Sequence, residues 1–141
     1  MKEAADAAPF LCSLWLILVK NIEIRNDTSP DAVNERMQKF LHYIDLHYQE
    51  EISLEQLADC ASVSKSECTR CFRRCIRTTP YRYLTEYRLA KAAKLLGETD
   101  LPVSTIALDV GFRQVSHFGK CFREKTGFTP REYRNQKGGS V

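Results

Sequence analysis

The sequence predicts an all-α protein of about seven helices. Apolar residues recur at spacings of three and four along most of the chain, and Ser, Thr and Pro stand where helices would begin. No alternating, β-type segment occurs in its body. At 141 residues the chain fits one ordinary domain, or two very small subdomains that share a helix. A hydrophobic share of 43% suffices for a packed core, while 28% charged residues predict a soluble surface.

The chain opens with an apolar run, Phe10 to Val19. It is about half the ~20 residues a spanning helix needs. Glu3 and Asp6 spoil a basic leader, and no small-residue cleavage site follows. Residues 1–25 are therefore read as an apolar segment that packs on another surface, self-association included, with no membrane contact. Residues 26–141 form the main domain.

Asn26–Asp31 is a turn supplying N-cap residues. A helix follows, with Val33, Met37, Phe40, Leu41, Ile44 and Tyr48 on one face. A short helix starts at Ser53, with Gln56 as its capping-box partner, and carries Leu54, Leu57 and Ala58. Another starts near Ser64, with Glu67 three residues on, and continues through Phe72 to Ile76. Pro80 opens a long helix through Leu84, Leu89, Ala92, Leu95 and Leu96, and Gly97 is expected to end it. Further helices fall near Val103–Asp109 and Val115–Thr126, with a last one after Pro130.

An internal repeat runs through these elements. Leu57-Ala58 matches Ile106-Ala107 at a shift of 49 residues. After the next turn the shift becomes 50, pairing Arg70, Cys71, Phe72 and Arg73 with Lys120, Cys121, Phe122 and Arg123. It also pairs Thr79-Pro80 with Thr129-Pro130, and Tyr83 with Tyr133. Each copy is a short helix, a turn, a longer basic helix and a Thr-Pro helix start. This is the pattern of two homeodomain-like helix-turn-helix subdomains joined by a long connecting helix.

Charge is distributed to match. Asn26–Asp59 carries a net −6, Ser64–Lys94 a net +7 and Gly111–Lys137 a net +5. Two basic blocks behind an acidic lead-in point to a polyanion held at two places, and the second helix of each unit suits a DNA major groove. Ser66, Thr69 and Arg70 face away from Cys68 and Phe72, as Ser116, His117 and Lys120 do from Phe118 and Phe122; these six are the candidate base contacts. Ser64, Arg73, Arg74, Arg113, Gln114 and Arg123 are the candidate phosphate contacts. The connecting helix would be about 27 Å long at ~1.5 Å per residue, against roughly 34 Å between neighbouring major-groove faces. That predicts recognition helices in successive grooves, with DNA bending if the span falls short.

From about Met37 to Asn135 the chain resembles the AraC/XylS DNA-binding domain. The resemblance is carried by Ile106-Ala-Leu-Asp-Val-Gly-Phe112, Ser116-His-Phe118 and Phe122-Arg-Glu-Lys-Thr-Gly-Phe-Thr-Pro-Arg-Glu-Tyr-Arg134. Arg88-Leu89, Ala92 and Leu95-Leu96 fit its connecting helix. It implies seven helices, a cytoplasmic transcription regulator on an asymmetric double-stranded promoter site, contact with RNA polymerase, and a separate effector or dimerisation domain of which residues 1–25 look like a remnant or the start. One departure is Arg77, where the pattern has Gly after the recognition helix; it predicts a looser or differently shaped helix end.

Cysteines stand at 12, 60, 68, 71, 75 and 121, within apolar or helical patterns, which favours a reducing compartment over a disulfide framework. Cys68, Cys71 and Cys75 lie along one side of one helix and read as small core residues rather than metal ligands. His42 and His47 read as surface or interface residues rather than ligands, and Tyr81, Tyr83 and Tyr87 as packing rather than base-stacking platforms. No nucleophile, base and oxyanion arrangement is recognisable, so no enzyme activity, cofactor or metal is expected.

Overall fold

Seven helices follow one another over residues 31–139, the part of the chain that the structure, a computed structural model, describes. They are α1 (Asp31–His47), α2 (Leu54–Cys60), α3 (Lys65–Ile76), α4 (Pro80–Glu98), α5 (Val103–Asp109), α6 (Val115–Thr126) and α7 (Pro130–Gly139). No strand occurs among the described residues. The apolar run at residues 10–19, Cys12 and the turn at residues 26–30 lie outside them.

The described chain divides into two units, 31–85 and 86–139, and α4 runs unbroken from one into the other. In the first unit, Met37, Phe40 and Ile44 of α1 are fully buried against α2 and α3. Phe72 of α3 is the hub, its ring 5.5 Å from Phe40 and 5.8 Å from Tyr83 at the start of α4. Leu57, Ala58, Cys68, Cys71 and Cys75 fill the space between. The small Ala58 and the thiols let the helices approach closely, and each large apolar side chain buried stabilises by about 1.5–3 kcal/mol. Both short-helix starts are capped by serine. Ser53 Oγ accepts from the Gln56 N–H at 3.0 Å while Gln56 Oε1 accepts from the Ser53 N–H at 2.9 Å. Ser64 Oγ accepts from the Glu67 N–H at 3.1 Å.

In the second unit, Leu89, Ala92, Ala93 and Leu96 of α4 supply the buried face that α1 supplies in the first. An aromatic chain runs through this core. Phe112 meets Phe118 at 5.2 Å, Phe118 meets Phe122 at 5.6 Å and Phe122 meets Tyr133 at 5.2 Å. Arg134 of α7 donates to the carbonyls of Leu96 and Thr99, each at 3.2 Å, and so closes the C-terminal end of α4. The Lys125 ammonium lies 3.0 Å from the Glu86 carboxylate.

Three expectations are corrected. Gly97 does not end α4, which runs on through Glu98; Thr99 makes the stop by donating its N–H and hydroxyl to the Leu95 carbonyl at 2.9 and 2.7 Å. Tyr83 and Tyr87 are buried, but Tyr81 is 65% exposed and is not a packing residue. The end of α3 is not reshaped by Arg77: that residue takes the left-handed conformation itself (φ 56°, ψ 33°), and its N–H reaches the Arg73 carbonyl as the Gly127 N–H reaches that of Arg123.

Candidate nucleic-acid interface

The two helix-turn-helix turns share one hydrogen-bond pattern. In the first, the Ser62 N–H donates to the Asp59 carbonyl at 3.0 Å and the Val63 N–H to that of Ala58 at 3.1 Å. In the second, the Gly111 N–H donates to the Leu108 carbonyl at 3.1 Å and the Phe112 N–H to that of Ala107 at 3.0 Å. The pivot residue has positive φ in both, 56° at Ser62 and 105° at Gly111. The change of shift falls just after it: Ser64 caps α3 and Gln114 caps α6, so the extra residue in the second turn is Arg113.

Each turn presents its second helix with one side buried and one side polar. On α3 and its cap, Ser64, Ser66, Arg70, Arg73 and Arg74 are exposed. Thr69 is half-buried and lines an apolar recess of about 310 Å³ with Ile44, Leu57 and Leu84. On α6 and its turn, Arg113, Gln114, Ser116, His117, Lys120 and Arg123 are all exposed, opposite fully buried Phe118 and Phe122. Eleven of the twelve residues singled out from the sequence thus lie on the outward side of their unit, with Thr69 at its margin.

Residues 57–136 match the family described as a helix-turn-helix domain. The chain is 36% identical over 130 residues to the HTH-type transcriptional regulator YdeC of Bacillus subtilis strain 168, covering 92% of this chain and 45% of that protein. It is 34% identical over 141 residues to the HTH-type transcriptional activator RhaS of Escherichia fergusonii, covering 100% of this chain and 50% of that one. Among solved structures, an AraC-type regulator from Chromobacterium violaceum matches with a TM-score of 0.71 and 27% identity, over 79% of this chain and 100% of that one. The DNA-binding domain of AdpA, in complex with a target DNA, matches with a TM-score of 0.71 and 27% identity, over 73% and 93%. The chain belongs to the AraC/XylS family. It is a DNA-binding transcription-regulator domain of that family, and it spans about half the length of the curated relatives it matches.

Within this AraC/XylS domain, several arrangements escape a sequence reading. The Glu67 carboxylate holds the Arg70 guanidinium at 3.0 Å and the Arg36 guanidinium of α1 at 3.2 Å. The Glu67–Arg70 pair was available from its i, i+3 spacing; the reach from α1 was not. On α6, His117 Nε2 lies 3.4 Å from the Cys121 Sγ and its ring stands edge-on to Phe112 at 5.6 Å, so His117 is exposed yet oriented. His42 is exposed, whereas His47 is half-buried, its ring tilted against Tyr43 at 4.4 Å and its Nδ1 3.3 Å from Glu50.

The cysteines of α3 are core residues: Cys68, Cys71 and Cys75 are at most 3% exposed. Burial, then the neighbouring Cys71 and Cys60, pushes the Cys68 thiol up to about 12. Burial raises Cys60, Cys71 and Cys121 as well. Burial thus disfavours the thiolate at each of these positions. Among the described residues no three of His, Cys, Asp and Glu converge into a metal-holding group, and no helix is long and apolar enough to cross a membrane.

Proposed function

We propose that this chain reads a specific duplex sequence with both units, each placing its second helix in a major groove, in the cytoplasm and as a binding protein rather than a catalyst. The observation that carries this is the pairing of two equivalent helix-turn-helix turns with two outward faces rich in hydrogen-bonding and cationic groups. Ser66, Arg70, Ser116, His117 and Lys120 are the base-reading groups, with Thr69 at the edge of the first set. Ser64, Arg73, Arg74, Arg113, Gln114 and Arg123 are the phosphate-holding groups, supplying affinity and salt dependence without sequence preference. Ser64 serves although its oxygen caps α3, because its hydroxyl proton remains to donate. Regulation then proceeds through contact with RNA polymerase, and residues 1–25 serve self-association. Sedimentation of the chain with and without those residues tests the latter.

Selection of bound sequences from a random duplex library at near-physiological salt tests the DNA reading. Two enriched submotifs about one helical turn apart are expected. Arg70→Ala should relax one and Lys120→Ala the other, each by roughly 1–3 kcal/mol of base discrimination. A folded protein that enriches nothing would refute it.

A further inference from the structure

Beside the end of the first recognition helix, Arg73, Arg77, Thr78, Thr79 and Arg82 line a polar cleft of about 370 Å³. All three guanidinium-bearing residues are exposed, and none has a carboxylate partner among the described residues. Two of them occupy places that disfavour arginine. Arg77 sits at φ 56°, where the second repeat has Gly127 at φ 84°; a side chain with a Cβ is strained there. Arg82 sits in the first turn of α4, where the second repeat has Glu132. That glutamate completes a capping box, accepting from the Thr129 N–H at 2.9 Å while its own N–H donates to Thr129 Oγ1 at 3.1 Å. In the first repeat only one half survives, the Arg82 N–H on Thr79 Oγ1 at 3.2 Å, and a cation stands at the positive end of a helix.

Two local rules are thus broken within one cleft, each time by an arginine and each time only in the first repeat. Unfavourable local choices that converge in this way mark function rather than folding. A phosphate in the cleft would reverse the electrostatic penalty, meeting three guanidinium groups together with the helix N-terminus. Ser66, Arg70, Arg73 and Arg77 also follow one another at spacings of four, three and four, which continues the outward stripe of α3 into the cleft.

We propose that Arg73, Arg77 and Arg82 form a phosphate clamp, unique to the first unit, that holds the DNA backbone at the end of its recognition helix. This deepens the DNA-binding reading and adds Arg77 and Arg82 to the contacting residues. The first unit then carries a backbone anchor beside its base-reading face, which the second unit lacks.

The test is duplex affinity against salt for the full chain, its R77G and R82Q variants and the double variant, alongside thermal melting. For R77G the two readouts should move in opposite directions. Its Tm rises by about 4 °C as strain is relieved, while affinity falls by a similar factor for selected and random duplexes. The log–log salt slope should become shallower by roughly 0.9 for each phosphate that is no longer neutralised. Unchanged affinity and slope in the double variant would overturn the clamp. Should the wild type fail to bind any duplex, the DNA reading itself fails, and inorganic tripolyphosphate decides the cleft separately. Protection of the wild type against thermal unfolding, abolished in the double variant, would keep it as a site for a soluble phosphate ligand; absence of protection would dismiss it.

Discussion

The two helix-turn-helix units reach the same turn geometry by opposite local means. The first caps α2 and α3 with Ser53 and Ser64 and then places non-glycine residues, Ser62 and Arg77, in its two left-handed positions. The second has glycine at both positions, but its cap residues Pro102 and Gln114 make no side-chain cap bond. A serine cap is worth about 1 kcal/mol and a left-handed residue with a Cβ costs about 1–2 kcal/mol, so the choices offset one another within the first unit. The second relies instead on packing: Val110 and Phe112 in its turn are buried, where Ala61 and Val63 in the first are only half-buried. A shared fold therefore does not imply a shared distribution of stability.

The comparison can be broken most forcefully at the aromatic hubs. Phe72→Ala should destabilise the first unit and Phe122→Ala the second, each by about 3–5 kcal/mol. Hydrogen exchange resolved by residue should show the loss of protection concentrated in the unit that carries the change. A uniform loss would mean the two units unfold together.

Exchanging the pivots is the next largest effect. Gly111→Ser should cost about 1–3 kcal/mol because φ there is 105°, whereas Ser62→Gly should leave stability equal or slightly raised. Denaturant midpoints at constant m-value read both. Equal costs in the two directions would show that the pivots are set by something other than backbone strain.

Caps follow. Ser53→Ala should lower stability by about 1 kcal/mol, and Gln114→Ser should raise it by up to that amount. A smaller test concerns Gly119 on α6, the repeat-mate of Thr69, where an added Cβ would meet nothing within 4 Å. Gly119→Ala should stabilise by about 0.8–1 kcal/mol through helix propensity alone. If duplex affinity nonetheless falls, the glycine marks a place where DNA comes close.

The thiols give the mildest contrast. At pH 8 an alkylating reagent should label the half-buried Cys60 and Cys121 well before Cys68, Cys71 and Cys75, as mass spectrometry would record. The folded Cys68 thiol titrates near 12, above its ordinary 9.0, so its contribution to stability is complete below pH 9 and is lost as pH rises toward 12. That loss should fall on the first unit, where a chemical-denaturation series from pH 8 to 11 by local probes would find it.

Much of this was legible in the sequence because it is local. The Ser53 box, the Ser64 cap and the Thr-Pro helix starts each depend on residues within a few positions of one another, the repeat shows by comparing such short patterns 49 and 50 residues apart, and the outward faces of α3 and α6 follow from helical spacing. What was not legible depends on three dimensions or on competition between neighbours. Gly97 looked like a stop, but Thr99 and Arg134 satisfy the last carbonyls of α4 and let the helix run past it. Thr69 falls on the polar side by periodicity, yet residues of α1, α2 and α4 make that edge apolar. The sequence did carry a hint of the arginine cleft, in Arg77 and Arg82 facing Gly127 and Glu132 across the repeat. It becomes a cleft only when α3 and α4 bring those residues together.

The unbroken course of α4 also bears on how the protein can be divided. Tyr83 and Leu84 belong to the first core, and Leu89, Ala92, Ala93 and Leu96 to the second. A cut between residues 85 and 86 would sever a helix in mid-turn and leave each half too short to hold its shape in water. Anyone wishing to produce either unit by itself should duplicate the helix rather than partition it, taking residues 31–98 for one and 80–139 for the other.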